Sequence, residues 1–101
     1  PQPYRAVGGA LVGHIIHVDN FGNLITDIRS DDLSQTKQPI TIKVGDETIS
    51  GLSRTYAEGK GLVALIGSSG YLEIALVGGS ACALIDAKIG DEVILRQQSV
   101  R

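Results

Sequence analysis

The chain alternates between short apolar, β-branched runs and clusters of glycine, aspartate, asparagine and serine, and no long stretch repeats its apolar residues at helical spacing. That pattern predicts an all-β domain with strands over residues 11–19, 23–28, 39–45, 47–54, 62–67, 70–77 and 91–97. The clearest segment is ITIKVGDETI, where Ile40, Ile42 and Val44 alternate with Thr41 and Lys43 ahead of Gly45-Asp46, a hairpin with one wetted face. LVALIG and LEIALVG are almost continuously apolar, as expected of paired strands covered on both sides at the centre of the fold. Ser30-Asp31-Asp32-Leu33 and GSACALID, residues 79–86, each suit one short helical turn. About seven strands with so little helix predict a small antiparallel β-barrel, closed or nearly closed, because closure removes exposed sheet edges. The similar heptads Lys43–Ile49 and Lys88–Ile94 have unlike flanks, so they read as two separate turns sharing Gly-Asp chemistry rather than as a duplication.

Composition narrows the partners. With 101 residues, 43% hydrophobic and 20% charged, the chain makes one globular domain able to bury its own core, and it is expected to be soluble with no membrane partner. A net charge of −2 with scattered basic residues argues against a nucleic-acid partner. The single cysteine, Cys82, lies among small apolar residues and reads as a buried, inert thiol, which fits a cytoplasmic location. Pro-Gln-Pro at the start reads as a stiff lead-in, so residues 1–10 are expected to be a linker from an upstream domain and residues 11–101 the barrel.

Most candidates for chemistry reduce to structure. His14 and His17 lie three apart on a predicted strand and point to opposite faces, so no metal site is expected. The pairs Asp31-Asp32 and Asp46-Glu47 fall at turns, where solvated acids are common, and no glycine-rich loop leads into lysine and a helix. Two loops stand apart. In Asp19-Asn20-Phe21-Gly22-Asn23 an aromatic ring interrupts a strand pair; turn chemistry alone favours a plain turn with Phe21 folded back on the barrel. Gly67-Ser68-Ser69-Gly70-Tyr71 could hold an anion or amine with its N–H groups and hydroxyls, or be an ordinary hairpin. Tyr56, in RTYAEGKG, adds a second aromatic face. Rings that stack on a flat heterocycle, an amide such as Asn23 and a carboxylate such as Asp19 together suit a nucleoside with a cationic tail.

At these residues the sequence resembles the C-terminal domain of the S-adenosyl-L-methionine hydroxide adenosyltransferases, the SAM hydrolase relatives of fluorinase and chlorinase. The resemblance runs through GHIIHVDNFGNLITDI, RTYAEGKG, LIGSSGYLEIAL and GSACALIDAKIGDEVIL. It implies a β-barrel joined to an N-terminal α/β domain, assembly as a homotrimer, and a substrate held between one subunit's barrel and the N-terminal domain of a neighbour. By the same resemblance Asp19 binds the methionine amino group, Phe21 and Tyr56 sandwich adenine, and Asn23 bonds its edge. Ser68 and Ser69 meet the amino-acid end, and the backbone around Val77 and Gly78 meets adenine. The chain departs from the family at Thr26-Asp27-Ile28, where relatives often read Thr-Asn-Ile, and at Val77, where they often carry asparagine. Ser69 stands in place of the arginine of the halogenating branch, which favours the branch that uses hydroxide.

The implied reaction is attack of water or hydroxide on the ribose C5′ of S-adenosyl-L-methionine, giving adenosine and methionine without a cofactor. The family's water-activating aspartate, arginine and histidine belong to the N-terminal domain, so this chain is expected to hold substrate, to carry no catalytic residue and to be inactive alone. The competing reading is a non-catalytic barrel in which Phe21 and Tyr56 contact another protein. A barrel for single-stranded nucleic acid would need basic residues near the aromatics, and the stretches around Phe21 and Tyr56 hold few.

Overall fold

The computed structural model describes residues 2–33, 39–56 and 61–97. Its strands are β1 (Tyr4–Arg5), β2 (Leu11–Val18), β3 (Leu24–Arg29), β4 (Ile40–Val44), β5 (Glu47–Ser50), β6 (Leu62–Ile66), β7 (Tyr71–Leu76) and β8 (Glu92–Gln97). Two short helices, α1 (Ser30–Leu33) and α2 (Ala81–Ile85), complete the described elements. Seven strands form one antiparallel sheet in the order β5-β4-β8-β2-β3-β7-β6, with β1 paired to β2 beside it. The ends of this path curl toward each other, and the Ser53 N–H donates to the Ala64 carbonyl at 2.7 Å, leaving a nearly closed barrel. The all-β barrel expected from the sequence is therefore the observed architecture.

The elements follow from local chemistry. Gly45, at φ 57°, is the first of the two residues linking Val44 to Glu47, the place where a type II′ hairpin turn needs positive φ. β5 stops at Ser50, short of the predicted residue 54, because Gly51 turns the chain at φ 79° and ties back through its N–H to the Ile40 carbonyl. α1 forms where its acidic first turn was expected, and Asp32 Oδ2 accepts the Arg29 N–H at 2.8 Å. The strand at Tyr4–Arg5 falls inside the stretch read as linker.

β6 and β7 pair along their length, but β6 ends the sheet path instead of sitting at its centre. Their apolar character has another cause. Ala64, Leu72 and Ile74 face the main core with Ile15, Leu24, Ile28, Ile42, Val44 and Val93, whereas Val63, Leu65 and Ala75 form a second buried cluster. A strand wetted on neither face needs no polar alternation, whatever its place in the order. The two Gly-Asp heptads also differ in structure: Gly45-Asp46 turns a hairpin, while Gly90 and Asp91 lead into β8 and exchange backbone hydrogen bonds with Ile15.

β2 joins the two halves of the barrel. Its first half, Leu11–His14, pairs with β8, and its second half pairs with β3 through a bulge between Ile15 and His17. Gly13 marks the crossing, since a Cβ there would strike the Ile28 side chain and the Asp27 carboxylate. That carboxylate takes the His14 N–H at 2.7 Å on Oδ1 and meets His14 Nδ1 at 3.0 Å on Oδ2. Asp27 thus serves to tie β3 to β2. His17 is exposed, and among the described residues no group of three or more His, Cys, Asp or Glu could hold a metal. No helix among them is long and apolar enough to cross a membrane.

The β3–β7 ladder is interrupted between Ile25 and Arg29, and the wholly buried Thr26 repairs it. Its hydroxyl donates to the Leu72 carbonyl at 2.9 Å and accepts the Ile28 N–H at 3.1 Å. Thr26→Val keeps the shape but removes both bonds from a dry site, so it should destabilise the chain by about 1–3 kcal/mol, read as a lower urea midpoint at unchanged m-value.

Candidate functional site

The turn between β2 and β3 is organised by one carboxylate. Asp19 Oδ1 accepts the backbone N–H groups of Phe21 and Asn23, each at 2.9 Å, and Oδ2 accepts Asn23 Nδ2 at 3.0 Å. The Asp19 backbone also donates to the Asn23 carbonyl at 3.1 Å and accepts from Gly22 N at 3.0 Å. Slight burial works to raise the Asp19 pKa, but the Asn23 and Phe21 N–H groups, the Asn23 amide and nearby His17 outweigh it and hold the carboxyl below its ordinary value. Asp19 therefore stays ionised and keeps the turn closed.

Behind the turn stands α2. Ser80 caps this helix by accepting the Ala83 N–H at 3.1 Å, and the Cys82 N–H donates to the Gly22 carbonyl at 2.9 Å. Gly22 adopts φ 83°, and a Cβ there would collide with the Ser80 side chain. Since the turn is pressed against the helix, Phe21 projects outward and remains 78% exposed, contrary to the plain-turn alternative in which its ring folds back. Cys82 itself is half-buried and donates Sγ–H to the Ala87 carbonyl at 3.3 Å.

Phe21 and Asn23 line an open cleft of about 520 Å³ with Tyr56 and the run Ala75–Gly79. Five residues singled out in the sequence, Phe21, Asn23, Tyr56, Val77 and Gly78, thus meet at one rim of the barrel. Val77 has its N–H committed to the Gly61 carbonyl at 3.0 Å. Asp19 does not line the cleft but builds the turn that does. Ser68 and Ser69 lie outside it as well, in the turn before β7, whereas the cleft uses the end of that strand. Of RTYAEGKG, residues 57–60 fall outside the described residues.

A residue that sequence reasoning passed over connects these parts. Glu73, on β7, accepts the Tyr56 hydroxyl on Oε1 at 2.8 Å, and its carboxylate lies where a side chain on Gly67 would have to go. The signal was present as the one charged residue inside the apolar run LEIAL. Partial burial, the hydrogen bond to Glu73 and the charges of Glu73 and Asp19 push the Tyr56 pKa up to about 12. The phenol is accordingly a neutral hydrogen-bond donor throughout the physiological range.

Fold and site together define a class: small antiparallel β-barrels that open an aromatic-walled cleft at one rim. Within it, the chain belongs to the family described as the SAM hydroxide adenosyltransferase C-terminal domain, which its residues 13–94 match. A relative named (R)-S-adenosyl-L-methionine hydrolase, from Methanocaldococcus jannaschii, is 34% identical over 87 residues, which covers 78% of this chain and 33% of the relative. The chain thus spans about a third of that protein's length. Among solved structures, an uncharacterized conserved protein from Thermotoga maritima superposes with a TM-score of 0.77 at 25% identity, over 96% of this chain and 39% of that one. A conserved hypothetical protein from Thermus thermophilus gives 0.67 at 30% identity, over 84% of this chain and 32% of that one.

Two measurements check this geometry. Gly22→Ala forces a side chain onto Ser80 at positive φ and should destabilise the fold by about 1–3 kcal/mol in urea denaturation. For Tyr56 the folded pKa lies above the ordinary value of 10, so its contribution to stability is complete below pH 10 and is lost as pH rises to about 12. Tyr56→Phe should lack that component of alkaline destabilisation when urea midpoints are compared across the same window.

Proposed function

We propose that this chain is the substrate-holding barrel of an enzyme that hydrolyses S-adenosyl-L-methionine to adenosine and methionine, and that the rim cleft receives the adenosyl group. The observation that carries the reading is the meeting of Phe21, Tyr56 and Asn23 around one cleft in a chain of this family. The name of the archaeal relative supports the substrate.

In this reading Phe21 and Tyr56 offer ring faces on which the flat adenine ring stacks, taking apolar surface out of water. Asn23 gives one amide N–H to Asp19 and keeps the other N–H and its carbonyl oxygen for the adenine edge, the oxygen accepting from the adenine amino group. The carboxylate of Asp19, ionised by the turn it closes, contributes the negative charge that suits a cationic ligand. The amino-acid end of the ligand is directed toward Ser68 and Ser69.

Sulfonium is a good leaving group, so the main task is to align a water or hydroxide oxygen with the C5′–S bond and to exclude competing water. The barrel contributes orientation and one apolar wall. The groups that handle the attacking oxygen belong to an N-terminal domain of a neighbouring subunit in a cytoplasmic homotrimer, so the chain alone is inactive and needs neither metal nor cofactor. The Ser69 position, without the arginine of the halogenating branch, favours oxygen as the nucleophile.

Adenosine titrated into the labelled chain and followed by amide NMR should give saturable shifts around Asp19–Asn23, Tyr56 and Val77–Gly78. Phe21→Ala should weaken that binding by about 1–3 kcal/mol while leaving the spectrum folded. Equal affinity in the folded variant would favour the protein-interaction reading of the same aromatics.

A further inference from the structure

Tyr56 lies outside the strands and is tied to one of them by a side-chain hydrogen bond. It lies beyond the end of β5, in the irregular stretch that starts at Gly51, where Ser53 N donates to the Ala64 carbonyl. Three residues further on, the Tyr56 side chain is 44% exposed and its hydroxyl makes a contact with the barrel. That contact is Glu73 Oε1 at 2.8 Å.

Glu73 is a firm anchor. It sits in the middle of β7, paired with Ile25 of β3 on one side and Leu65 of β6 on the other. Its carboxylate is packed over Gly67, a position where any side chain would displace it. The same strand supplies Ala75 and Leu76 to the cleft. A single strand therefore sets both the floor of the cleft and the position of its Tyr56 wall.

We infer that Glu73 is a positioning residue for the nucleoside site: it transmits the rigidity of β7 to the Tyr56 ring through one hydrogen bond, so that the ring stands ready to receive a purine. The inference rests on the nucleoside reading proposed above. Its physical basis is preorganisation, since a wall already in place costs no ordering on binding. Glu73 touches the ring's hydroxyl and is given no contact with ligand or reacting atoms.

The test is a thermodynamic cycle on adenosine affinity, measured by NMR titration of the wild-type chain, Tyr56→Phe, Glu73→Ala and the double variant, with Glu73→Gln as the conservative control. Tyr56→Phe and Glu73→Ala should each weaken adenosine roughly three- to tenfold, the net value of one hydrogen bond. The double variant should bind no worse than either single one, because both remove the same contact. Glu73→Gln retains an acceptor for the hydroxyl and should recover most of the loss.

A Glu73→Ala effect that persists undiminished in the Tyr56→Phe background would overturn the inference, because the glutamate would then act without the hydroxyl. So would wild-type affinity in folded Tyr56→Phe. If Glu73→Ala does not fold, Tyr56→Phe against Glu73→Gln decides: a loss in the first with recovery in the second supports the role, and the reverse overturns it. Failure of the underlying reading looks different. In that case the wild-type chain gives no saturable adenosine shift, or Phe21→Ala binds as well as wild type, and the role of Glu73 falls with it.

Discussion

A single strand, β2, must hydrogen-bond to β8 with one half of its length and to β3 with the other, and the barrel depends on that handover. The handover requires close passage. At Gly13 the backbone of β2 runs against Ile28 and Asp27 with no space for a side chain, and the Asp27 carboxylate fastens the approach by binding both the backbone and the ring of His14. Because β2 changes partners there, its far end is delivered to the rim together with the start of β3. The turn that carries Phe21 is therefore placed by the barrel's own closure rather than by a separate insertion.

The rim is assembled in tiers. Paired strands and the short helix α2 form its base, with Cys82 N and Ser80 backing the turn. The Asp19 carboxylate is the next tier, since three donors converge on it within five residues. Aromatic rings are the last, and each leans on a different acid: Phe21 on the turn closed by Asp19, Tyr56 on Glu73. Both acids are first of all structural. Whatever charge they offer a ligand is a by-product of groups already employed in holding the site's shape.

Much of the fold was legible in the chain because alternation and turn residues are local signals. Ile40–Val44, with its polar partners and Gly45-Asp46, announced a hairpin without reference to anything distant. The position of β6 was not legible, since continuous apolarity reports burial on two faces and not rank in a sheet. β1 escaped for a related reason: two residues hold no period, and only the uncovered edge of Leu11 and Val12 brings them into the sheet. At the site, Phe21, Asn23 and Tyr56 stood out by their own chemistry, Val77 and Gly78 only through a family resemblance, and the structure gathers all five around one cleft. Asp19 as the turn's organiser and Glu73 as the anchor of Tyr56 are relations between side chains, which composition and spacing do not express. Ser68 and Ser69 show the opposite case, with neighbours in the motif lying a strand's length from the cleft.

The near-closure at Ser53 and Ala64 bears on more than the shape of the barrel. β5 and β6 are the terminal strands of the sheet path, and in an open sheet each would offer a row of unpaired N–H and C=O groups to any other extended chain. Here those two edges are turned toward one another across a narrow seam. An intruding strand from a second molecule finds neither edge lying flat, so the curl of the sheet acts as a safeguard against runaway edge-to-edge polymerisation.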